Sequence, residues 1–383
     1  MTYDITVHGT VAPGFEGVRD AFATVLAEDT TEPGSQLSVR LHGRTVVDLW
    51  AGEGIEATSL LPVFSSTKGA AHLVVALLVQ DGTLDLDRAV ASYWPEFAAS
   101  GTDTLTLREL LAHRSGLVGA SPRFTDEELA DDRLVAERLV RQKPFWEPGT
   151  AYGYHAVVIG ALTGEVVRRA TGRSIQELYE ERVRAPYGLE LYLGLPEALE
   201  PRFVPIRPMA PTPEQAKTLT AFPPDPEGVF AAAFNLPTDL AVWANIPVVR
   251  RLGSASAGGV GSARGLAGMY AAAVSEVDGA APLLTPATAT GFARLSWPGT
   301  DLVTGAEDAF GLGFRRSSGQ YPIVGEGSFG HSGAAGSQAF ADPEQGIAYG
   351  YTRRRYAYPG GEAPENAPLV DAVVRAARAV RGA

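Results

Sequence analysis

One serine and one lysine in this sequence have the spacing required for nucleophilic chemistry. The chain contains three lysines, Lys68, Lys143 and Lys217, and the rest of its 32 basic residues are arginine. A lysine in a dry pocket can lose its proton and act as a base, whereas arginine keeps its proton. Ser65 lies three residues before Lys68, in the only Ser-x-x-Lys of the sequence. On a helix, this spacing places both side chains on one face.

The residues that follow predict the helix. The run 69–79 is apolar nearly all round, which is typical of a buried helix. Ser65 then lies at the helix N-terminus, where the dipole and the free N–H groups favour negative charge. Ser66 is an alternative cap, but it has no lysine three residues later. A surface cap followed by an unrelated lysine is the alternative interpretation.

A tyrosine is the third candidate group. The segment PGTAYGYHA (148–156) precedes an apolar helical pattern over 157–167. A phenol near Ser65 and Lys68 could relay protons, and adjacent positive charge would lower its pKa. We choose Tyr154, with Tyr152 as the alternative. Either one could instead be a half-buried aromatic of the core.

A glycine-rich segment late in the chain has the composition of an anion-binding edge. The sequence GHSGAAGS (330–337) stands immediately before a predicted strand. Such an edge lets a substrate approach backbone N–H groups closely, as an oxyanion hole requires. A tight turn between two strands is the alternative interpretation.

Composition and absent motifs exclude several classes of function. With no cysteine, the chain has no disulfide, thiolate nucleophile or iron–sulfur cluster. A net charge of −12 argues against nucleic acid or an anionic membrane as a partner. Gly-x-Ser-x-Gly, His-Glu-x-x-His and P-loop patterns are absent, and we expect neither a cofactor nor a metal. No secretory signal is visible at the N-terminus, which predicts a cytoplasmic protein.

Periodicity divides the chain into strands at both ends and helices in the middle. Helical patterns cover 14–29, 107–113, 126–141, 157–171, 175–183 and 369–380, strand patterns cover 37–41, 45–50, 310–315, 338–341 and 347–352, and a proline-rich loop covers 202–228. We therefore predict an α+β fold with an antiparallel sheet, flanked by the N- and C-terminal helices, and an inserted helical lobe. The expected lobes are 1–60 with 250–383, and 61–249, with the active site in the cleft between them.

The three segments, in this order, resemble the serine β-lactamase and penicillin-binding-protein superfamily. The similarity is greatest to its class C-like branch, which contains family VIII carboxylesterases and related acyltransferases. Further matching segments are DLWAG (48–52), YWPEF (93–97), LRELLAHRSGL (107–117), GYHA (153–156) and FADP (340–343). The resemblance covers roughly 35–351 and implies a β-lactamase/transpeptidase-like fold.

The resemblance also implies roles for individual residues. Ser65 would be the acylated nucleophile, Lys68 its base and Tyr154 the tyrosine of the second motif, while the N–H groups of Ser65 and Ala334 would form the oxyanion hole. His331, Ser332 and Gly333 would fill the third motif of the family and bind substrate, and we add His155 and Arg354 as further candidate substrate-binding residues. We expect His331, as a neutral imidazole titrating near its ordinary pKa, to position the tyrosine or to bind substrate. The arginines of 353–355 are interpreted as a solvated charge run, and the alternative is that one of them binds an anionic substrate group.

Two departures from the family pattern bear on the substrate. Ala156 and His331 replace the asparagine and lysine that hold a β-lactam, so we expect inefficient β-lactam hydrolysis. The predicted function is hydrolysis of carboxylic esters through an acyl-enzyme. The alternative is acyl transfer to an amine or alcohol in natural-product biosynthesis, with a β-lactamase, a D-aminopeptidase or an inactive binding module as lesser alternatives.

Overall fold

Strands from both ends of the chain pair in one antiparallel sheet. The computed structural model describes residues 5–29, 34–221, 224–307 and 310–382. Within these residues, seven strands have the order β1-β3-β2-β10-β9-β8-β7, and β4-β6-β5 form a smaller antiparallel sheet. The strands are β1 His8–Val11, β2 Gly34–Leu41, β3 Arg44–Gly52, β4 Leu61–Pro62, β5 Leu191–Tyr192, β6 Val260–Gly261, β7 Arg315–Arg316, β8 Phe329–Ser332, β9 Gln338–Asp342 and β10 Ile347–Arg353.

Most of the helices lie between β3 and β7 in the chain. The α-helices are α1 Glu16–Glu28, α2 Thr67–Gln80, α3 Leu107–Leu111, α4 Asp126–Ala130, α5 Asp132–Leu139, α6 Ile159–Thr171, α7 Ile175–Tyr179, α8 Pro213–Ala221, α9 Val229–Ala233, α10 Leu240–Trp243, α11 Pro247–Leu252, α12 Ala263–Val274, α13 Pro286–Ala293 and α14 Asn366–Gly382. Tighter 3-10 turns occupy Phe64–Ser66, Val90–Ser92, Pro95–Ser100 and Glu197–Arg202, and a wider turn occupies Glu180–Arg184. This arrangement confirms the predicted α+β fold.

Helices cover both faces of the large sheet. On one face α1 packs against α14, and Phe22 and Val373 join Val39 of β2 in one buried cluster. On the other face α12 packs against β2, β9 and β10. This close approach depends on Gly350 of β10, because a Cβ there would lie 2.3 Å from the carbonyl oxygen of Ala263.

A larger core surrounds α2. All residues of α2 from Thr67 to Leu78 are buried, which explains the apolar run of the sequence. The same core contains Val166 of α6 and reaches Phe329 and Ala339 of the sheet. The helical segment and the sheet therefore share one hydrophobic core. The division into lobes at 1–60 with 250–383, and at 61–249, stays a prediction.

Three predicted elements differ from those observed. The strand expected over 310–315 is a turn closed by pairing of Phe310 with Arg315, because Gly313 adopts a φ of +77°. The helix expected over 126–141 is divided at Asp131, whose side chain caps α5. The proline-rich segment contains the nine-residue helix α8 rather than a continuous loop, and the part of it at 222–223 lies outside the described residues.

The packing of α12 on the sheet generates a stability prediction. Gly350→Ala should lower the free energy of unfolding by about 1–3 kcal/mol, because the backbone atoms near its Cβ have no room to move. Gly17→Ala is the matched control. A Cβ at this exposed glycine of α1 meets nothing within 4 Å, so helix propensity should raise stability by about 0.8–1 kcal/mol. Urea unfolding of both variants tests the expectation, and equal effects would contradict it.

Candidate active site

Ser65 lies in a strained turn immediately before α2. The preceding residue, Phe64, has a φ of +46°, which is unfavourable for a side chain of this size. The turn is held by the Ser66 N–H, which donates to the Val63 carbonyl at 3.1 Å, and by an edge contact between the Phe64 and Tyr356 rings. Ser65 is 9% exposed and lines a cavity. The local sequence therefore places a partly accessible hydroxyl at the start of a buried helix.

Ser66 ties this turn to the edge of the large sheet. Its hydroxyl donates to the His331 carbonyl at 3.1 Å and lies 3.0 Å from the hydroxyl of Ser337. Ser337 in turn donates to the Val63 carbonyl at 2.8 Å. The Ser66 side chain does not cap α2, so the capping alternative for this residue is wrong. It instead fixes the position of the third motif relative to Ser65.

Lys68 is fully buried and makes three short polar contacts. Its Nζ lies 3.1 Å from Ser65 Oγ, 2.6 Å from the Ala156 carbonyl oxygen and 2.8 Å from the Ser256 carbonyl oxygen. Burial lowers the pKa of Lys68 well below its ordinary value of 10.5. A neutral amine has two N–H groups and one lone pair. In that form, with the two carbonyls accepting the N–H groups, the lone pair would be directed at Ser65.

Tyr154 lies beside Lys68, within a group of aromatic rings. Its ring stacks with Phe310 and His331 at centroid distances of 5.4 and 5.8 Å, and Lys68 Nζ lies 4.9 Å from its centroid. Burial raises the pKa of Tyr154 above its ordinary value, despite the opposing effects of Ser65 and Arg315. The expected lowering of this pKa is therefore wrong, and the phenol keeps its proton.

Neighbouring residues distinguish Tyr154 from Tyr152. Tyr154 lines the cavity, and its backbone N–H donates to Asp301 Oδ1 at 3.0 Å. Tyr152 is not among the lining residues, and its hydroxyl donates to the Gly299 carbonyl. Asp301 also accepts from the N–H of Val303 at 2.8 Å, so this buried carboxylate joins Tyr154 to a loop of the cavity wall. No sequence motif had indicated Asp301.

His331 is a neutral imidazole of defined tautomer. Its Nδ1 lies 2.8 Å from the Ser332 carbonyl oxygen and therefore carries the proton, which leaves Nε2 as an acceptor. Burial lowers the pKa of His331 well below 6.5. The expected titration near the ordinary value is therefore wrong. His331 lines the cavity together with Ser332 and Gly333.

The turn after β8 brings a backbone N–H to the same cavity. The Gly333 N–H donates to the Ser337 carbonyl at 2.8 Å, and the Ala334 carbonyl accepts from Gly361 at 2.8 Å. Across the described ranges, no acceptor contacts the Ala334 N–H. The Ser65 N–H lies in the first turn of its helix, where an N–H has no intrahelical acceptor. Ser65 and Ala334 both line the cavity, which is a requirement for an oxyanion hole formed by their backbone N–H groups.

The cavity has a volume of about 890 Å³ and a mainly apolar wall. Segments distant in the sequence contribute to it. The proline-rich segment supplies Pro208, Met209, Pro211 and Leu219, the segment around α9 and α10 supplies Phe230, Phe234, Leu236, Leu240 and Ala241, and the segment before β7 supplies Thr304, Ala306 and Phe310. The site therefore offers apolar groups of a substrate a large surface.

The arginine in the cavity is Arg315 rather than Arg354. Arg315 Nη1 donates to Ser332 Oγ at 3.3 Å, and no carboxylate among the described residues lies within 4.0 Å of Arg315. Arg354 instead donates to the Glu53 carbonyl at 2.7 Å and is not among the lining residues. The expectation for Arg354 is therefore wrong. Arg315 had no motif of its own, because only the pairing of β7 with β8 brings it beside the third motif.

The other two arginines of this run also have partners of their own. Arg353 pairs with Glu365 and Asp29, and Arg355 donates to the Pro208 carbonyl at 3.0 Å. Neither one lines the cavity that contains Ser65.

His155 supports the site from behind and does not face the cavity. Its Nε2 lies 2.6 Å from Ser115 Oγ, its Nδ1 lies 2.7 Å from the Gly153 carbonyl oxygen, and its backbone N–H donates to His113 Nδ1. Burial lowers the pKa of His155 to about 4. Because the ring is fully buried, the expected contact with substrate is wrong.

Comparison with known proteins places this arrangement in a family. The family model described as Beta-lactamase matches residues 19–373. Esterase/beta-lactamase LipL of Mycobacterium tuberculosis is 31% identical over 369 residues, which cover 92% of this chain and 84% of the relative. The structure of EstA from Arthrobacter nitroguajacolicus Rue61a is 39% identical, with 97% of this chain and 98% of that chain covered and a TM-score of 0.89.

A second solved structure gives the same result. A family VIII carboxylesterase is 32% identical, with 97% of this chain and all of the other covered and a TM-score of 0.86. The helices within the described ranges are all too short or too polar to cross a bilayer. The matches span nearly the whole chain and include all three motifs. The chain therefore belongs to the beta-lactamase family, within the serine β-lactamase and penicillin-binding-protein superfamily that its motifs resemble.

Proposed function

We propose that this chain is a serine hydrolase of carboxylic esters that acts through an acyl-enzyme on Ser65. The observation that carries the proposal is the contact of the buried Lys68 amine with the Ser65 hydroxyl, in surroundings that lower the pKa of Lys68. Relatives named as esterases over nearly the whole chain support the same activity.

Acylation follows from the positions of the three side chains. Lys68 accepts the Ser65 proton, and Ser65 Oγ attacks the ester carbonyl. The N–H groups of Ser65 and Ala334 stabilise the oxyanion. The leaving alkoxide takes a proton from Tyr154, which keeps its phenolic proton until then, and Tyr154 regains one from Lys68. The products are an acyl-Ser65 ester and an alcohol.

Hydrolysis of the acyl-enzyme uses the same groups in reverse. Water adds to the acyl carbonyl and transfers a proton to the pair formed by Tyr154 and Lys68. The bond between the acyl carbon and Ser65 Oγ breaks, and the proton returns to Ser65. The neutral ring of His331, stacked on Tyr154, orients the phenol in both steps.

Two side chains favour esters over β-lactams. Ala156 presents a carbonyl to Lys68 and has only a methyl group where the lactamases have an amide. His331 is neutral where they carry a charged lysine, so the cation for the β-lactam carboxylate is missing from this position. We therefore propose apolar esters as substrates and inefficient hydrolysis of β-lactams.

Covalent labelling tests the assignment of nucleophile and base. With a fluorophosphonate, intact-protein mass spectrometry should show one adduct on Ser65, and Ser65→Ala should abolish it. Lys68→Arg should reduce ester turnover by at least about 100-fold, because arginine does not release its proton. Lys143→Arg, which alters an exposed lysine, is the matched control and should leave turnover unchanged. An adduct on another residue would refute the proposal.

Acyl transfer is the second candidate, since the cavity beside Ser65 is mainly apolar and its volume of about 890 Å³ can hold an acceptor as well as an acyl group. With an activated ester and a primary amine present together, a hydrolase should release mainly free acid. Chromatographic measurement of acid and amide gives the partition. Amide as the main product, with little acid, would identify the protein as a transferase.

Arg315 generates a prediction about anionic substrates. We propose that its guanidinium binds a carboxylate placed near the scissile ester, because it faces the cavity without a carboxylate partner among the described residues. Arg315→Gln should raise KM about tenfold or more for a carboxylate-bearing ester, since a hydrogen bond to a charged group contributes about 1.5–3 kcal/mol.

The control for this prediction is the neighbouring arginine. Arg316 pairs with Glu326, so Arg316→Gln should leave KM unchanged both for the carboxylate-bearing ester and for a neutral ester. For a neutral ester of the same size, Arg315→Gln should also leave KM unchanged. Equal changes for both esters in Arg315→Gln would refute the anion-binding role.

A further inference from the structure

The Ser256 carbonyl, which accepts a hydrogen bond from Lys68, belongs to a buried loop. Residues 253–259 connect α11 to β6 with neither helix nor strand, and all of them are buried. Buried backbone groups outside regular structure need specific partners, because unpaired ones carry a desolvation cost. The contacts of this loop therefore determine where the Ser256 carbonyl lies.

Three hydrogen bonds anchor the loop to the helices around Lys68. The Gly259 N–H donates to Thr67 Oγ1 at 2.9 Å, and the Gly160 N–H donates to Ser256 Oγ at 2.7 Å. The third bond runs from the Ala255 N–H to Asp132 Oδ2 at 2.9 Å. Ala255 is directly bonded to Ser256, so a carboxylate holds the residue next to the one that contacts Lys68.

Asp132 is itself held in place by a second donor. It is the first residue of α5, and its Oδ2 also accepts from Gln176 Nε2 at 2.9 Å. The same nitrogen of Gln176 lies 3.2 Å from the Gly253 carbonyl oxygen, at the start of the loop. Asp132 and Gln176 together thus fix the first three residues of the loop, 253–255.

We infer that Asp132 is a positioning residue for acylation, because its carboxylate oxygen accepts from the N–H of Ala255, the residue before Ser256, and the Ser256 carbonyl orients the amine of Lys68 toward Ser65. The inference rests on the proposed function, in which Lys68 is the base. It requires a hydrogen-bond acceptor at residue 132 and not a charge, because burial alone accounts for the lowered pKa of Lys68. An asparagine oxygen at this place can accept the same two N–H groups.

The experiment measures the rate constant of fluorophosphonate labelling of Ser65 together with kcat and KM for a neutral ester. In Asp132→Ala, labelling and kcat should fall by about 10- to 100-fold with KM nearly unchanged, since small displacements of a catalytic group have effects of this size. Asp132→Asn should restore both to within about threefold of the wild-type protein.

Asp131→Ala separates positioning from a loss of stability. Asp131 caps α5 through the N–H groups of Arg133 and Leu134, and among the described residues its side chain has no hydrogen bond to the loop. Its replacement should lower Tm while leaving labelling and kcat unchanged. If Asp132→Ala also lowers only Tm, or if Asp132→Asn is as impaired as Asp132→Ala, the positioning role is refuted. Failure of the wild-type protein to label on Ser65 would instead refute the proposed function.

Discussion

The site depends on one amine held in an interior that disfavours its charge. Lys68 is fully buried, and no carboxylate of the described residues lies within 4 Å of its nitrogen. An unpaired charge in such a place is costly, so burial lowers the pKa of Lys68 and favours the neutral amine. Two backbone carbonyls then fix its direction. Carbonyl groups suit this task because they accept hydrogen bonds without adding a charge that would restore the proton.

Burial also governs the other titratable groups of the site. Tyr154, His155 and His331 favour the uncharged form at neutral pH, since the pKa of Tyr154 is raised and the pKa values of His155 and His331 are lowered. We had expected positive charge to lower the pKa of Tyr154. Desolvation has the larger effect and raises it. A site of neutral groups lets protons move between partners without creating a strong charge before the substrate arrives.

The fold explains how distant segments meet at one serine. The sheet joins both ends of the chain, because β2 pairs with β10. Hydrogen bonds of Ser66 and Ser337 then connect the turn before α2 to the turn after β8. The part of the chain between β3 and β7 supplies Tyr154, from the irregular segment before α6, and much of the apolar wall. The sheet therefore fixes the reacting groups, while longer connections shape the space that a substrate enters.

The sequence by itself determined the elements whose cause is local. The apolar run after Ser65 predicted a buried helix, the spacing to Lys68 predicted their contact, and alternation predicted β2, β3, β9 and β10. It also indicated Tyr154 and the turn at 330–337 as parts of the same site.

The tertiary structure alone decided the features that depend on contacts between distant segments. Arg315 lines the cavity because β7 pairs with β8, whereas Arg354 contacts Glu53. Neither contact can be predicted from the residues next to these arginines in the sequence. Asp132 likewise acquires its place beside Ser256 only when α5 packs on a loop more than a hundred residues later. Protonation states belong to this group as well, because they follow from the water that folding removes.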